Sequence, residues 1–189
     1  MAERWVVYAS PLILLAKVSL LDLLPKLANQ LIIPHGVAQE LRAKPSDAAA
    51  QRWLAGPGRD FIRSIRVVDA EVAAWDLGRG ESEVLTWAKT HTGCCAILDD
   101  MAARNCAETL GVPVRGTFGV IILAKRHGLL PKAKPVFTAL RQAGYYVAPS
   151  VLRHALHLAG EDEYPKRCHF SEGCLRRQPA PKTPLLLFR

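Results

Sequence analysis

Four carboxylates stand at spacings that could do chemistry. In the helical segment that opens at Glu81, the i, i+3, i+4, i+7 rule aligns Glu81 with Val84, Leu85 and Ala88, so an acid sits on the inward stripe. Glu83 falls on the other side with Thr86 and Thr90 and reads as solvated. The same test over Pro34–Arg42 sets Glu40 beside Val37 and Leu41. Asp99 and Asp100 follow the apolar run Ala96–Leu98 directly, where a parallel sheet presents its ligand-binding edge. Each acid has a structural alternative. Asp99 or Asp100 could cap a helix at Met101, Glu81 could serve a helix dipole, and Glu40 could pair with Arg42 or Arg104. The alternatives fit poorly together, because one cap has no use for two aspartates and buried carboxylates cost several kcal/mol unless paired or metal-bound. Hard oxygen ligands in a basic surround suit Mg²⁺ or Mn²⁺. Metal-assisted phosphodiester hydrolysis follows, a reaction that needs no Ser or Cys nucleophile.

The elements that must position these acids alternate between strand and helix. Trp5–Val7 reads as a strand running into a helix, with Ser10 as N-cap and Pro11 at the first helical position, and the helical period breaks near Val18-Ser19. Leu31–Ile33 is a second strand, followed by helices over Pro34–Arg42 and Ala48–Leu54. Ile62–Val68 suits an edge strand, and Glu81–Thr90 a helix. Ala96–Leu98, a helix from Met101 to Leu110, the short strand Val112–Val114 and a helix from Thr117 to His127 complete the alternation. Two further helices, Val136–Ala143 and Pro149–Leu158, close the unit. This order predicts an α/β fold with a parallel sheet and helices on both faces. The expected domain is residues 1–160; residues 161–189, with four prolines and no period, are an appended tail.

Composition narrows the function classes. A chain of 189 residues, 50% hydrophobic and 22% charged, suits one domain with a sizeable core. The net charge of +8 favours a polyanionic partner, and 19 basic against 13 acidic residues leave +6 of it within residues 1–160. The longest apolar run, Pro11–Ala16, is far short of the roughly 20 residues of a membrane span, and no signal segment is evident, so a cytoplasmic protein is expected. Cysteines 94, 95, 106, 168 and 174 form no regular framework and read as reduced thiols. Neither His91 with Cys94 and Cys95 nor Cys168-His169 with Cys174 has zinc-finger spacing. Lys125, Arg126, Lys132, Lys134 and Arg141 either track phosphates or form a solvated face. No Gly-x-Gly-x-x-Gly follows a strand and no Walker sequence occurs, which removes the main signature of nucleotide-cofactor enzymes.

Taken in order, Val6-Val7-Tyr8-Ala9-Ser10-Pro11-Leu12-Ile13, Ile33-Pro34 with Val37 and Glu40-Leu41, Gly78-Arg79-Gly80-Glu81, Leu98-Asp99-Asp100 with Ala103-Arg104, and Gly116-Thr117-Phe118-Gly119-Val120 with Ala124-Lys125 and Gly128 form a pattern. It resembles the small prokaryotic PIN-like proteins related to VapC-type ribonuclease toxins, over about residues 4–160. The resemblance implies a three-layer α/β/α fold with a parallel central sheet. It also implies a site made of an Asp or Asn on strand one, a Glu, an acid opening a helix and an Asp after the central strand. Those positions are Tyr8, Glu40, Glu81 and Asp100 here, with Asp99 adjacent. On this reading Glu40, Glu81 and Asp100 hold Mg²⁺ or Mn²⁺, Asp99 joins them in catalysis, and Tyr8, Ser10, Arg104 and Thr117 support the site. The implied activity is a metal-dependent endoribonuclease acting on RNA as the toxin-like component of a toxin-antitoxin pair, with a cognate antitoxin and a homodimer as partners. Tyr8 is the departure: a phenol, neutral near pH 7, stands where the family has an Asp or Asn. The alternative is therefore a catalytically impaired PIN-like module that binds RNA or protein.

Overall fold

Trp5, Val6 and Val7 are wholly buried, and so are all four residues of the strand Cys94–Ile97, which is why both read as unbroken apolar runs. Only a strand covered on both faces tolerates such a run. In the computed structural model, which describes residues 3–43 and 47–161, these two strands lie side by side at the centre of a five-stranded parallel sheet. The order is β3-β2-β1-β4-β5, with β1 Arg4–Val7, β2 Gln30–Pro34, β3 Ile62–Arg63, β4 Cys94–Ile97 and β5 Val114–Arg115. Arg4 pairs in register with Gln30 on one side and Cys94 on the other. The chain builds outward from β1 through β2 to β3, then crosses back to lay β4 and β5 on the opposite side. The point of reversal falls between β1 and β4, where a crevice opens at the carboxyl ends of the strands.

Ten α-helices are found among the described residues: α1 Ala9–Lys17, α2 Leu23–Leu27, α3 His35–Arg42, α4 Ala48–Ala55, α5 Ala70–Ala73, α6 Arg79–Thr90, α7 Met101–Thr109, α8 Thr117–Arg126, α9 Lys134–Gln142 and α10 Pro149–Leu158. They flank the sheet as the three-layer arrangement requires. α6 lies across β4, β1 and β2 and packs on α3 and α7, while α8 packs on α1, α2 and α10.

Several local expectations change. Helix α1 starts at Ala9 with Tyr8 as its extended N-cap residue, so Ser10 is not the cap; its buried hydroxyl makes no hydrogen bond. The edge strand stops at Arg63 instead of reaching Val68, because its partner β2 ends at Pro34 and turns at once into α3. The short helix α5 was not foreseen; the Asp69 carboxylate caps it through Glu71 N and Val72 N and also pairs with Lys89 Nζ at 2.7 Å. Glu161, assigned to the tail from sequence, accepts from Ala133 N (2.6 Å) and Lys134 N (2.8 Å) at the start of α9. Lys125 and Arg126 donate to the carbonyls of Ala159 and Leu158 at the end of α10, a helix-terminus duty for two members of the basic patch. Cys94, Cys95 and Cys106 are free and buried, whereas residues 162–189, Cys168 and Cys174 among them, lie outside the described residues. No helix among the described residues is long and apolar enough to cross a membrane.

Candidate active site

Both sides of the crevice carry residues singled out from sequence. Tyr8 follows β1, and its N–H continues the sheet pairing onto Ile97 O at 3.0 Å. Asp99 and Asp100 follow β4 and lead into α7. Glu81 stands in the first turn of α6 and Glu40 in the last turn of α3.

Helices α3 and α6 are locked together by two acids working in opposite directions. Glu40 of α3 accepts from Gly80 N, in the first turn of α6, at 2.8 Å. Glu83 of α6 accepts from Gly36 N, in the first turn of α3, at 2.7 Å. Each helix thus supplies a carboxylate to the orphan N–H groups at the start of the other, where the helix dipole also favours negative charge. Both partners are glycines for a steric reason. A Cβ at Gly36 would lie 2.7 Å from the Glu83 carboxylate, and one at Gly80 would lie 2.8 Å from that of Glu40. Glu83 is therefore buried, 3% exposed, and not solvated as its helical phase suggests. The face it shares with Thr86 is covered by neighbouring elements, and Arg79 Nε adds a contact at 3.0 Å. Glu40 is engaged by Gly80 N rather than by Arg42 or Arg104.

The acids at the crevice feel one another. Burial raises the Glu81 carboxyl above its ordinary value, and the charges of Asp100 and Glu40 push the same way, against a hydrogen bond from Gly78 N at 3.3 Å. The Tyr8 phenol is held far above its usual range by burial first and then by the charges of Glu81, Glu40 and Asp100. Tyr8 is consequently neutral and adds no charge beside Glu40.

Asp99 and Asp100 serve two different helices, which removes the objection that one cap cannot use both. Asp100 Oδ1 accepts from Ala103 N at 3.0 Å and caps α7. Asp99 accepts from Thr117 N (2.8 Å) and Thr117 Oγ1 (2.6 Å) at the start of α8. Tyr145, missed from sequence, stands near Asp99 as well; its own phenol is pushed up to about 12 by burial first and then by the Asp99 charge. Arg104 Nη1 donates to Leu98 O at 3.3 Å. Of the eight residues expected at the site, Tyr8, Glu40, Glu81 and Asp100 form one electrostatically coupled group, and Asp99 with Thr117 forms a neighbouring hydrogen-bonded one. No signal in the sequence identified Glu83, although the Gly36 and Gly80 positions in first helical turns were open to inspection.

Among the described residues, no three His, Cys, Asp or Glu side chains are arranged to hold a metal ion. The donor set nevertheless fits a hard divalent cation in kind. Three carboxylates from three helices repel one another, and in the described bonds Glu81 and Asp100 each commit one oxygen to a backbone N–H. The orphaned Ser10 hydroxyl lies in the first turn of α1, just beyond Tyr8. Glu81 and Asp100 would hold the ion, with one Glu40 oxygen committed to Gly80 N. Such an ion supplies Lewis-acid activation of water and neutralisation of phosphate charge.

No curated protein matches the chain. The family model DUF3368, described as a PIN domain, matches residues 4–161, the span that holds the whole sheet and every residue of the crevice. PIN domains are typically nucleases, and the coupled carboxylates at the strand ends are what such chemistry needs. With most of its length matched and the parallel α/β architecture in place, the chain belongs to the PIN domain family.

Proposed function

We propose that this PIN domain is a Mg²⁺- or Mn²⁺-dependent endoribonuclease whose affinity for the ion is low until RNA is bound. What supports the reading is that the charges of Asp100 and Glu40 raise the Glu81 carboxyl, with Asp100 following β4 beside the point where the sheet reverses. Like charges brought together at a cost call for a counter-charge. A substrate phosphate brings further oxygen ligands, which suits a cation that prefers a few carboxylates plus waters and phosphates. Asp99 acts here as a positioning residue: it holds Thr117 and the start of α8 beside Asp100. The resemblance of its motifs to those of VapC-type toxins is what suggests a cytoplasmic, toxin-like role with a cognate antitoxin and a homodimeric state.

A non-cleaving module is favoured by one specific observation: Tyr8, a half-buried phenol kept neutral by burial and by the charges of Glu81, Glu40 and Asp100, stands at the end of β1 and brings no charge to the group. Incubating the purified full chain with RNA in Mg²⁺ or Mn²⁺ and in EDTA separates the two readings. The ribonuclease reading expects cleavage in the metal arms alone. RNA retained intact in all three, with salt-sensitive binding, supports the module; cleavage in EDTA refutes the metal-dependent reading.

A further inference from the structure

Next to the carboxylates lies an open groove of about 600 Å³ between α7, α8, α10 and the segment joining α9 to α10. That is within the roughly 300–1,000 Å³ of small-ligand sites. Asp99 and Arg104 form the end nearest the acids. The far wall is α10, whose Val151, His154, Ala155 and Leu158 recur at i, i+3, i+4 and i+7 and face the groove. Val151 remains 52% exposed and Leu158 41%, so this stripe is not spent on the core.

The rim is built by a helix end. Gly144, with φ +90°, terminates α9, and Tyr145 N returns to Leu140 O at 3.0 Å. Tyr145 turns inward, edge-on to Phe118 at 5.7 Å, and feels the charge of Asp99. Its neighbour Tyr146 is left 87% exposed on the groove, and Met101 on another edge is 67% exposed. The charged lining is Arg104, Arg115, His154 and Asp99; the two Asp99 oxygens are already bonded to Thr117, and Arg115 is paired with Glu3 at 3.0 Å. An exposed aromatic face over an apolar floor, with Arg104 at the end that meets the carboxylates, matches an unpaired nucleobase followed by its phosphate.

We propose that this groove seats a nucleobase of single-stranded RNA, stacked on Tyr146, so that the adjoining phosphodiester passes Arg104 and reaches Glu81 and Asp100. The inference rests on the ribonuclease reading and adds a base subsite on this chain's own Tyr146, which a base within a duplex, having no free face to stack, would not occupy. Binding is measured by fluorescence anisotropy of a labelled, unstructured oligoribonucleotide with the full chain in EDTA, where cleavage does not intervene. Stacking on an aromatic side chain predicts that Tyr146→Ala weakens binding roughly 5- to 150-fold, the ratio equivalent to about 1–3 kcal/mol. Tyr146→Phe should retain binding, and neither variant should change the affinity for a duplex of the same sequence. Undiminished single-strand binding by Tyr146→Ala, or an equal loss on the duplex, overturns the inference. If the wild-type chain still cleaves RNA with metal in that case, the groove assignment fails alone. If the wild-type chain neither binds nor cleaves single-stranded RNA, both readings fail and the groove is left to a protein partner.

Discussion

Replacing Glu83 by alanine removes one half of the reciprocal clasp between α3 and α6. The side chain is 4% exposed and accepts a charge-assisted hydrogen bond from Gly36 N at 2.7 Å, so its loss strands a buried N–H that α3 cannot satisfy internally. A hydrogen bond to a charged group contributes about 1.5–3 kcal/mol, and the stranded donor keeps the cost near the upper end. The Arg79 contact adds little, since that guanidinium is 65% exposed and screened by solvent. A total of about 3 kcal/mol corresponds to a fall in Tm of roughly 6–12 °C for a domain of this size. Glu83→Gln keeps the size and an acceptor oxygen and should lose only about 1 kcal/mol. The partner glycine gives an independent check. In the wild-type background Gly36→Ala puts a methyl 2.7 Å from a Glu83 oxygen, whereas beside Ala at position 83 the space is open. The double variant should therefore be more stable than the sum of the single losses by more than about 0.5 kcal/mol. Thermal melts followed by far- and near-ultraviolet circular dichroism measure all four proteins. A Glu83→Ala protein that melts within about 1 °C of wild type would refute the clasp as a source of stability.

Further predictions concern the site and the domain end. Burial and neighbouring charges raise the Glu81 carboxyl in the fold, so ionising it costs stability; the penalty is absent below the ordinary value of 4.5 and complete once pH has risen past the folded value. Glu81→Gln should therefore melt higher than wild type at neutral pH in EDTA, with a gain that disappears in acid, and an unchanged neutral melt would contradict the repulsion. Tyr8→Asp should tighten Mn²⁺ binding in calorimetry by adding a charge among Glu40, Glu81 and Asp100, while Tyr8→Phe, which adds none, should leave it as in wild type. Equal Mn²⁺ affinity in wild type and Tyr8→Asp would mean that residue 8 does not govern the ion. Glu161→Ala removes the acceptor for Ala133 N and Lys134 N and should cost about 0.5–2 kcal/mol, read as a denaturation midpoint shift; no shift would place the end of the folded unit before residue 161.

The parts legible in the sequence were those governed by a single periodicity. β1 and β4 announce themselves because both faces of each strand are buried, and the helix phase brings Glu40 and Glu81 toward the strand ends. Periodicity failed where a helix is covered on more than one side. Glu83 and Thr86 look solvated beside the Val84–Leu85–Ala88 stripe, yet the packing of α3 on α6 buries them. The two aspartates were read through one helix, because nothing local reveals that α8 begins within reach of Asp99. Tyr145 was invisible for the same reason: its contact with Asp99 spans the chain from the end of α9 to the end of β4.

Asp100 offers the most direct test of the central claim. Its side chain caps α7 through Ala103 N, a duty that asparagine performs about as well, so Asp100→Asn removes a charge from the carboxylate group while sparing the helix end. Initial rates of RNA cleavage by the full chain are measured against Mn²⁺ concentration for wild type and Asp100→Asn, with matching melts as the control for folding. The account predicts metal-dependent cleavage by wild type and none by Asp100→Asn at any Mn²⁺ concentration. Equal rates in the two proteins, or a wild-type rate indifferent to Mn²⁺, would contradict it.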